Sequence, residues 1–382
     1  MNCNTLVNIV DDFNYHNIVA SLQLKPNEVV FIYTNTLHQK EILNNLQEFY
    51  SDKLPQTKFI SMEINDIDMV SYEKLIKECD NKNTIVNISG GSKLQSLYLY
   101  KVAEKNGFKS VVIHEEKDEM LLIEQNEVKT MENNLQDLLV FDYIESSGGR
   151  ILNDESNLVN DKGIEKITNY ILGHYDDWKI LKKVFINPNI VKHCEGNPYL
   201  INILLTQTKD FQMKVLTNFI DNMCSQKIAN KVNSNNKIIT LKFTSKDVKN
   251  FLFKTGSWLE VLTHEIVEGI ANINDVKSGV VFLWDDDNLH VKNEIDVLAT
   301  SGKKLIYISC KDTSHYDEDT LNELHVYSEK IGGEFVQKIL VTTSEPTKRS
   351  TFSRAEEMRI KIVIFKGNVE EFKKKLEKII KN

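Results

Sequence analysis

Only five of the 382 residues are cysteine, and Cys3, Cys79, Cys194, Cys224 and Cys310 are scattered, odd in number and never in C-x-x-C spacing. Neither a disulfide framework nor a zinc site is signalled, and His193-Cys194 reads as a chance pair. Long apolar runs are missing as well. Nothing approaches the roughly 20 residues that a membrane helix needs, and the N-terminus lacks a signal-peptide pattern, so a soluble cytoplasmic protein without a membrane partner is expected. Positive charge is also short: 47 Lys and Arg against 55 Asp and Glu leave a formal charge of -8. That balance excludes a broadly basic nucleic-acid glove, though not a site that grips one phosphate through a metal and a local patch. Lys303-Lys304, Lys348-Arg349 and Arg354 are candidates for such a patch. The chain is long enough for two or three domains, and its 41% hydrophobic content supplies ordinary cores.

The N-terminal third carries apolar runs of strand length at Thr5–Val10, Val29–Tyr33, Lys58–Ile60, Thr84–Ile88, Ser110–His114 and Met120–Ile123, several of them separated by helical patterns. That order predicts an α/β fold with a doubly wound, Rossmann-like sheet, where ligands sit beyond the carboxyl ends of strands. Three such ends are small and polar: Asp11-Asp12-Phe13-Asn14, Thr34-Asn35-Thr36 and Ser89-Gly90-Gly91-Ser92-Lys93. The last leaves a strand and enters a helix over 94–105, so its backbone N–H groups are expected to converge on an anion. Lys93 opposes the helix dipole there, which also points to a negatively charged ligand. The loop is neither a P-loop nor a dinucleotide fingerprint, and a glycine-requiring turn is the plainer alternative. By their place at strand ends, Asp12, Asn14, Thr36, Ser89, Gly90, Gly91, Ser92, Lys93 and Gln95 are the candidate ligand-binding residues.

Farther on, Val291 to Leu298 alternates, Ser301-Gly302-Lys303 turns, and Leu305 to Lys311 alternates again, which predicts a β-hairpin. Period-two geometry puts Glu294 and Asp296 on one face with Ser309 and Lys311, and Ile295, Val297, Ile306, Ile308 and Cys310 on the apolar face. Clustered carboxylates repel unless a cation lies between them, and oxygen ligands suit Mg²⁺ or Mn²⁺. The competing reading is a solvated surface pair. Upstream, Gly256-Ser-Trp-Leu-Glu260 opens an amphipathic helix with Leu259, Leu262, Ile266 and Ile270 at helical spacing. Glu260 is either a further acidic ligand or the partner of Ser257 in a capping box.

Between 146 and 240 the segments 163–181, 197–205 and 210–228 have helical periodicity and no catalytic motif, so a helical connector is expected. Gly332-Gly333-Glu334-Phe335 is expected to be a helix-to-strand turn, Asp285-Asp286-Asp287-Asn288 a hairpin turn, and His264 a structural residue.

A helix with Glu260, a strand, then a hairpin with Asn293-Glu-Ile-Asp-Val297 and Ile308-Ser-Cys-Lys311 resembles a PD-(D/E)xK restriction-endonuclease-like core. The resemblance is closest to the nuclease half of CRISPR-associated Rossmann-fold (CARF) effectors of type III CRISPR systems, and Asn87 to Lys93 resembles the phosphate-facing signature of their sensor half. It implies a CARF cyclic-oligoadenylate-sensing domain at 1–145, a connector at 146–240 and a nuclease domain at 241–382. It further implies a homodimer that binds cyclic tetra-adenylate across its twofold axis and cuts single-stranded DNA, duplex DNA or RNA. Carried over by position, Glu260 and Asp296 are the metal ligands and Lys311 the lysine of the motif; Glu294, on the same face of the predicted hairpin, is the candidate for a third carboxylate ligand, and the four form the catalytic set. Ser309 stands where many such enzymes place Glu or Gln. Two alternatives stay open, namely a ring nuclease that degrades the cyclic ligand and a sensing module that no longer cuts.

Overall fold

A computed structural model describes residues 3–64, 69–79, 83–114, 117, 119–125, 127–131, 137–254, 256–284, 292–314 and 316–381. The Asp285–Asn288 run and Val291 lie outside them. The N-terminal unit runs β1 (Thr5–Ile9), α1 (Tyr15–Leu24), β2 (Glu28–Tyr33), α2 (Leu37–Lys53), β3 (Lys58–Glu63), α3 (Met69–Lys77), β4 (Thr84–Asn87), α4 (Lys93–Lys105), β5 (Lys109–His114), β6 (Glu119–Glu124) and β7 (Glu127–Met131). Its seven strands take the order β3-β2-β1-β4-β5-β6-β7. The first five are parallel and β6 and β7 are antiparallel, as a doubly wound sheet with an edge hairpin requires. All five residues of β1 are buried because helices cover both faces. Only β7 escaped the sequence reading, being almost wholly exposed and without an alternating pattern.

After α5 (Val140–Ser146) and β8 (Gly149–Asn153) come α6 (Lys162–Gly173), α7 (Tyr175–Phe185), β9 (Val191–His193), β10 (Leu200–Leu204), α8 (Asp210–Ser225), β11 (Ala229–Ser234), β12 (Ile238–Phe243) and α9 (Lys246–Phe253). The connector thus has its expected helices and, in addition, a four-stranded antiparallel sheet in the order β11-β12-β10-β9. The stretch 197–205, expected to be helical, is largely strand β10. Its run of alternately buried residues is too short to separate the two periods.

The C-terminal unit is α10 (Ser257–Glu268), β13 (Asp275–Trp284), β14 (Lys292–Ser301), β15 (Lys304–Lys311), α11 (Glu318–Gly332), β16 (Gln337–Thr342), α12 (Ser350–Glu357), β17 (Ile360–Ile364) and α13 (Val369–Ile380). Its sheet has the order β17-β16-β15-β14-β13-β8, so β8 extends it at one edge. The hairpin register pairs Val297 with Ile308 and Ala299 with Ile306, as the apolar alternation requires. Ile295 departs from expectation. It packs with Val280 and Phe282 while Val297 packs with α10, and between these pairs Gly279 breaks β13 at φ +56°.

Two cores ignore the unit boundaries. One joins the connector, α10, α13 and one face of the C-terminal sheet. The other joins α1, α2 and part of the N-terminal sheet to α5, α11 and the opposite face of the C-terminal sheet. Polar ties follow the second core. The Tyr143 hydroxyl donates to the Lys303 carbonyl, and Ser147 Oγ donates to the Ile331 carbonyl at 3.1 Å. Phe13, in the β1–α1 loop, stacks on Tyr15, which stacks on Tyr143. A Cβ at Gly333, where φ is +67°, would lie 2.7 Å from the Phe13 ring.

Gly333→Ala is therefore expected to cost about 2–3 kcal/mol, combining the left-handed backbone with overpacking on Phe13. Gly107 also has positive φ (+74°) but no atom within 4 Å of its would-be Cβ, so Gly107→Ala isolates the backbone part. Urea unfolding should show the larger loss at Gly333, and equal losses would mean that Phe13 does not press there.

Candidate active site and ligand loops

Where β14 and β15 approach α11, Glu294, Asp296, Tyr307, Ser309, Lys311, Thr320, Glu323 and Leu324 line one small pocket. The β14–β15 backbone pairing runs from Ser301–Lys304 to Val297–Ile308, and beyond it the Asp296 side chain takes over the bonding. Asp296 Oδ2 accepts from the Cys310 amide at 2.6 Å and from Ser309 Oγ at 3.0 Å. The Lys311 ammonium stands 3.8 Å from the same oxygen, an ion-pair distance. The face predicted from period-two alternation is thus assembled, and Ser309 serves as a donor that orients Asp296.

Glu260 approaches from α10. Gly256 at φ +93° is the N-cap of that helix, so the capping box expected of Ser257 and Glu260 does not form. Its carboxyl is buried, with 8% of the residue exposed, and has no hydrogen bond among the described residues. Burial, then the charge of Asp296, pushes its pKa up to about 8, against a lowering pull from Lys254. Lys254 is a site residue that sequence reasoning missed. Its ammonium pairs with Glu294 at 2.6 Å and Glu155 at 3.1 Å. Burial works to lower its pKa, but the bond to Glu294 and the charges of Glu260 and Glu155 outweigh that and hold it raised. Glu294 is consequently committed to Lys254, and the expected three-carboxylate set is not brought together. Among the described residues no group of three His, Cys, Asp or Glu side chains is placed to hold a metal. Glu260 and Asp296 do fit one, since a buried carboxyl raised by a neighbouring carboxylate lacks positive charge, and Mg²⁺ is commonly held by one or two carboxylates.

Asp312, beside Lys311, was also missed. Its Oδ1 accepts from Lys182 Nζ and Thr343 Oγ1, both at 2.7 Å, and its Oδ2 accepts from Trp258 Nε1 at 2.7 Å. One carboxylate thereby ties α7, β16 and the first turn of α10 to the end of β15. His264 is structural as expected, buried against Ser278 Oγ at 3.0 Å with its pKa lowered by burial.

At the other end of the chain, the β1–α1 and β4–α4 loops meet at the switch point between β1 and β4. Most of the expected ligand residues there hold the loops themselves. Asn14 is buried, with Oδ1 accepting from Asp11 N and Asn17 Nδ2. Ser89 Oγ donates to Asn87 Oδ1 at 2.7 Å and accepts from Ile113 N at 2.8 Å. Ser92 and Gln95 form the capping box of α4, and Thr36 caps α2. The amides of Ser89, Gly91 and Ser92 are taken by Asn87, Asp11 and Gln95, so they do not form the expected anion nest. Gly90 and Gly91 are there for space: a Cβ at Gly91 would meet Ile9 at 2.6 Å. Asp12, paired with His38 at 3.1 Å, and Lys93 are exposed at the surface of these loops. Beneath them Asn87 Nδ2 donates to Asn8 Oδ1 and Asn17 Oδ1, a buried amide network that no sequence motif signals.

Residues 5–143 match the family described as the Card1 CARF domain, and residues 247–382 match the Card1-like endonuclease domain. The chain belongs to the Card1-like CARF effectors. Solved structures with the same fold span its whole length. Protein VC1899 from Vibrio cholerae is 20% identical with a TM-score of 0.74, covering 99% of this chain and 98% of that one. Can2 from Sulfobacillus thermosulfidooxidans, in complex with cyclic tetra-adenylate, is 17% identical with a TM-score of 0.69 and 99% of both chains covered. A type III CRISPR defence DNA nuclease activated by cyclic oligoadenylate is 13% identical with a TM-score of 0.52, over 92% of this chain and 48% of that one. No curated protein matches the chain. No helix among the effector's described residues is long and apolar enough to cross a membrane.

Two outcomes follow for the purified effector in chelator. A carboxyl whose folded pKa is raised contributes most below its unfolded value, and that contribution is lost as pH rises from 4.5 towards about 8. Glu260→Gln should therefore be more stable than wild type at pH 9 and lose that advantage near pH 4, as followed by thermal unfolding. Asp312→Ala, which strands the buried Trp258 donor, should cost about 2–4 kcal/mol in urea, and Lys182→Met less because that lysine is partly exposed.

Proposed function

We propose that the effector is a metal-dependent endonuclease switched on by a cyclic oligoadenylate, with cyclic tetra-adenylate as the activator, in type III CRISPR defence. The observation that carries this is the convergence of Glu260 and the Asp296–Lys311 pair in an endonuclease domain fused to a CARF domain. Can2 holding cyclic tetra-adenylate supports the choice of ring. The substrate is a nucleic-acid phosphodiester in single-stranded DNA, duplex DNA or RNA. Between 154 and 254 the chain has 15 lysines against 10 acidic residues, a basic flank in a protein of net charge -8. The exposed Leu37, Leu94 and Leu97 lie on the helices that begin at the ligand loops, which supports a homodimer closing over the ring.

Glu260 and Asp296 would hold Mg²⁺ or Mn²⁺, and such an ion supplies Lewis acidity and an activated water. Asp296 is oriented by Ser309 and the Cys310 amide. Lys311 is placed to stabilise negative charge on the phosphate as it develops. Glu294 joins the site only when Lys254 releases it. For gating, a ring that displaces the Asp11–Asn14 loop moves Phe13 against Gly333 at the end of α11, whose first turns carry Thr320 and Glu323 in the catalytic pocket. The ring shifts this equilibrium only by its differential affinity for the two states.

Cleavage of labelled single-stranded DNA, RNA and supercoiled plasmid should need both cyclic tetra-adenylate and a divalent cation. Asp296→Asn and Lys311→Ala should each slow it at least about 100-fold. Consumption of the ring with no cut nucleic acid would replace this reading with a ring nuclease, and neither activity would leave a sensing module.

A further inference from the structure

A cavity of about 710 Å³ opens between the two domains, at the end of the C-terminal sheet away from Asp296 and Lys311. Its walls come from Phe13 and Tyr15 of the sensor, the β14–β15 turn, the α11–β16 turn and the start of β17. Lys304, Arg359 and Lys361 line it, all exposed and with no ion pair among the described residues. Two more lining lysines are engaged: Lys338 with Glu329 at 2.7 Å and Lys381 with Glu377 at 2.5 Å. Against these cations Glu334 is the one carboxylate among the described lining residues. Phe335, 49% exposed, adds an uncovered aromatic ring to the same wall. Unpaired cations around an aromatic surface, in a protein that is acidic overall, match a ligand with a planar ring and several phosphate charges.

We propose that this interdomain cavity is a second ligand site, for a nucleoside polyphosphate, distinct from the strand-end site of the sensor. Phosphates would meet Lys304, Arg359 and Lys361, and the base would stack on Phe335. Because Phe13 is also a residue of the Asp11–Asn14 loop, an occupant touches the loop on which the cyclic ligand is read to act. Binding linkage then makes each ligand alter the other's affinity by the same factor. This coupling rests on the sensor reading above, whereas the site itself does not.

The test titrates full-length effector with fluorescent mant-ATP and with inorganic triphosphate, at about physiological ionic strength. Wild type should bind mant-ATP, and Lys304→Ala combined with Arg359→Ala should weaken it about tenfold or more. Phe335→Ala should lower mant-ATP to the affinity of triphosphate, while Lys93→Ala, in the sensor loop, should leave it unchanged. All these positions are exposed, and unchanged melting temperatures would verify folding. Saturating cyclic tetra-adenylate should shift the mant-ATP affinity in wild type, and saturating ATP should shift cyclic tetra-adenylate affinity by the same factor. No binding at millimolar nucleotide, or binding indifferent to the cavity variants, would overturn the site. Loss with Lys93→Ala would also overturn it by placing the nucleotide in the sensor. Cyclic tetra-adenylate bound as expected in an effector that ignores ATP would sink this proposal and leave the gated-nuclease reading intact.

Discussion

One apolar core belongs to two domains at once, and the rest of the effector's architecture depends on it. Phe31, Leu46 and Tyr50 of the sensor are buried in the same cluster as Leu298, Tyr307, Leu324 and Leu340 of the nuclease. Interiors packed like this are rearranged between discrete states more readily than they are stretched. A shift at the sensor loops therefore has to be met by a movement in α11 or the C-terminal sheet. The pairing of Phe13 with Gly333 is the narrowest point of that constraint, because glycine alone leaves room for the ring.

The two buried carboxylates near the pocket of Asp296 and Lys311 show how environment assigns roles to identical chemistry. Asp312 accepts from an indole, an ammonium and a hydroxyl, so its charge is compensated within the fold and it joins three elements. Glu260 is comparably buried, yet it faces Asp296 with no hydrogen-bond donor among the described residues. Its raised pKa is the electrostatic record of that deficit. Lys254 partly offsets it from the side, while its ion pair engages the Glu294 carboxylate.

The sensor loops follow the opposite logic. Nearly every small polar group in Asp11–Asn14 and Ser89–Gln95 satisfies a neighbour, and the buried amides of Asn8, Asn17 and Asn87 fix the loops from below. Such a site presents a few outward groups on a rigid base, which lowers the ordering cost of binding. Asp12, His38 and Lys93 are among the polar groups at its surface.

The sequence by itself determined the local patterns: the parallel strands of the sensor, the hairpin with Glu294, Asp296, Ser309 and Lys311 on one face, the GGEF turn and the structural role of His264. Each is set within a few residues by period, burial or turn chemistry, which a linear pattern records. Tertiary structure alone decided which polar groups were already engaged. Asn14, Ser89 and Gln95, expected at a ligand, use their side chains to hold the loops, and Gly256 rather than Ser257 caps α10. Lys254 and Asp312 carried no motif, because their partners Glu294, Lys182 and Trp258 lie 40 to 130 positions away. The connector's sheet was missed for a related reason, since its short strands gain their stability from pairing with one another and from the core beneath.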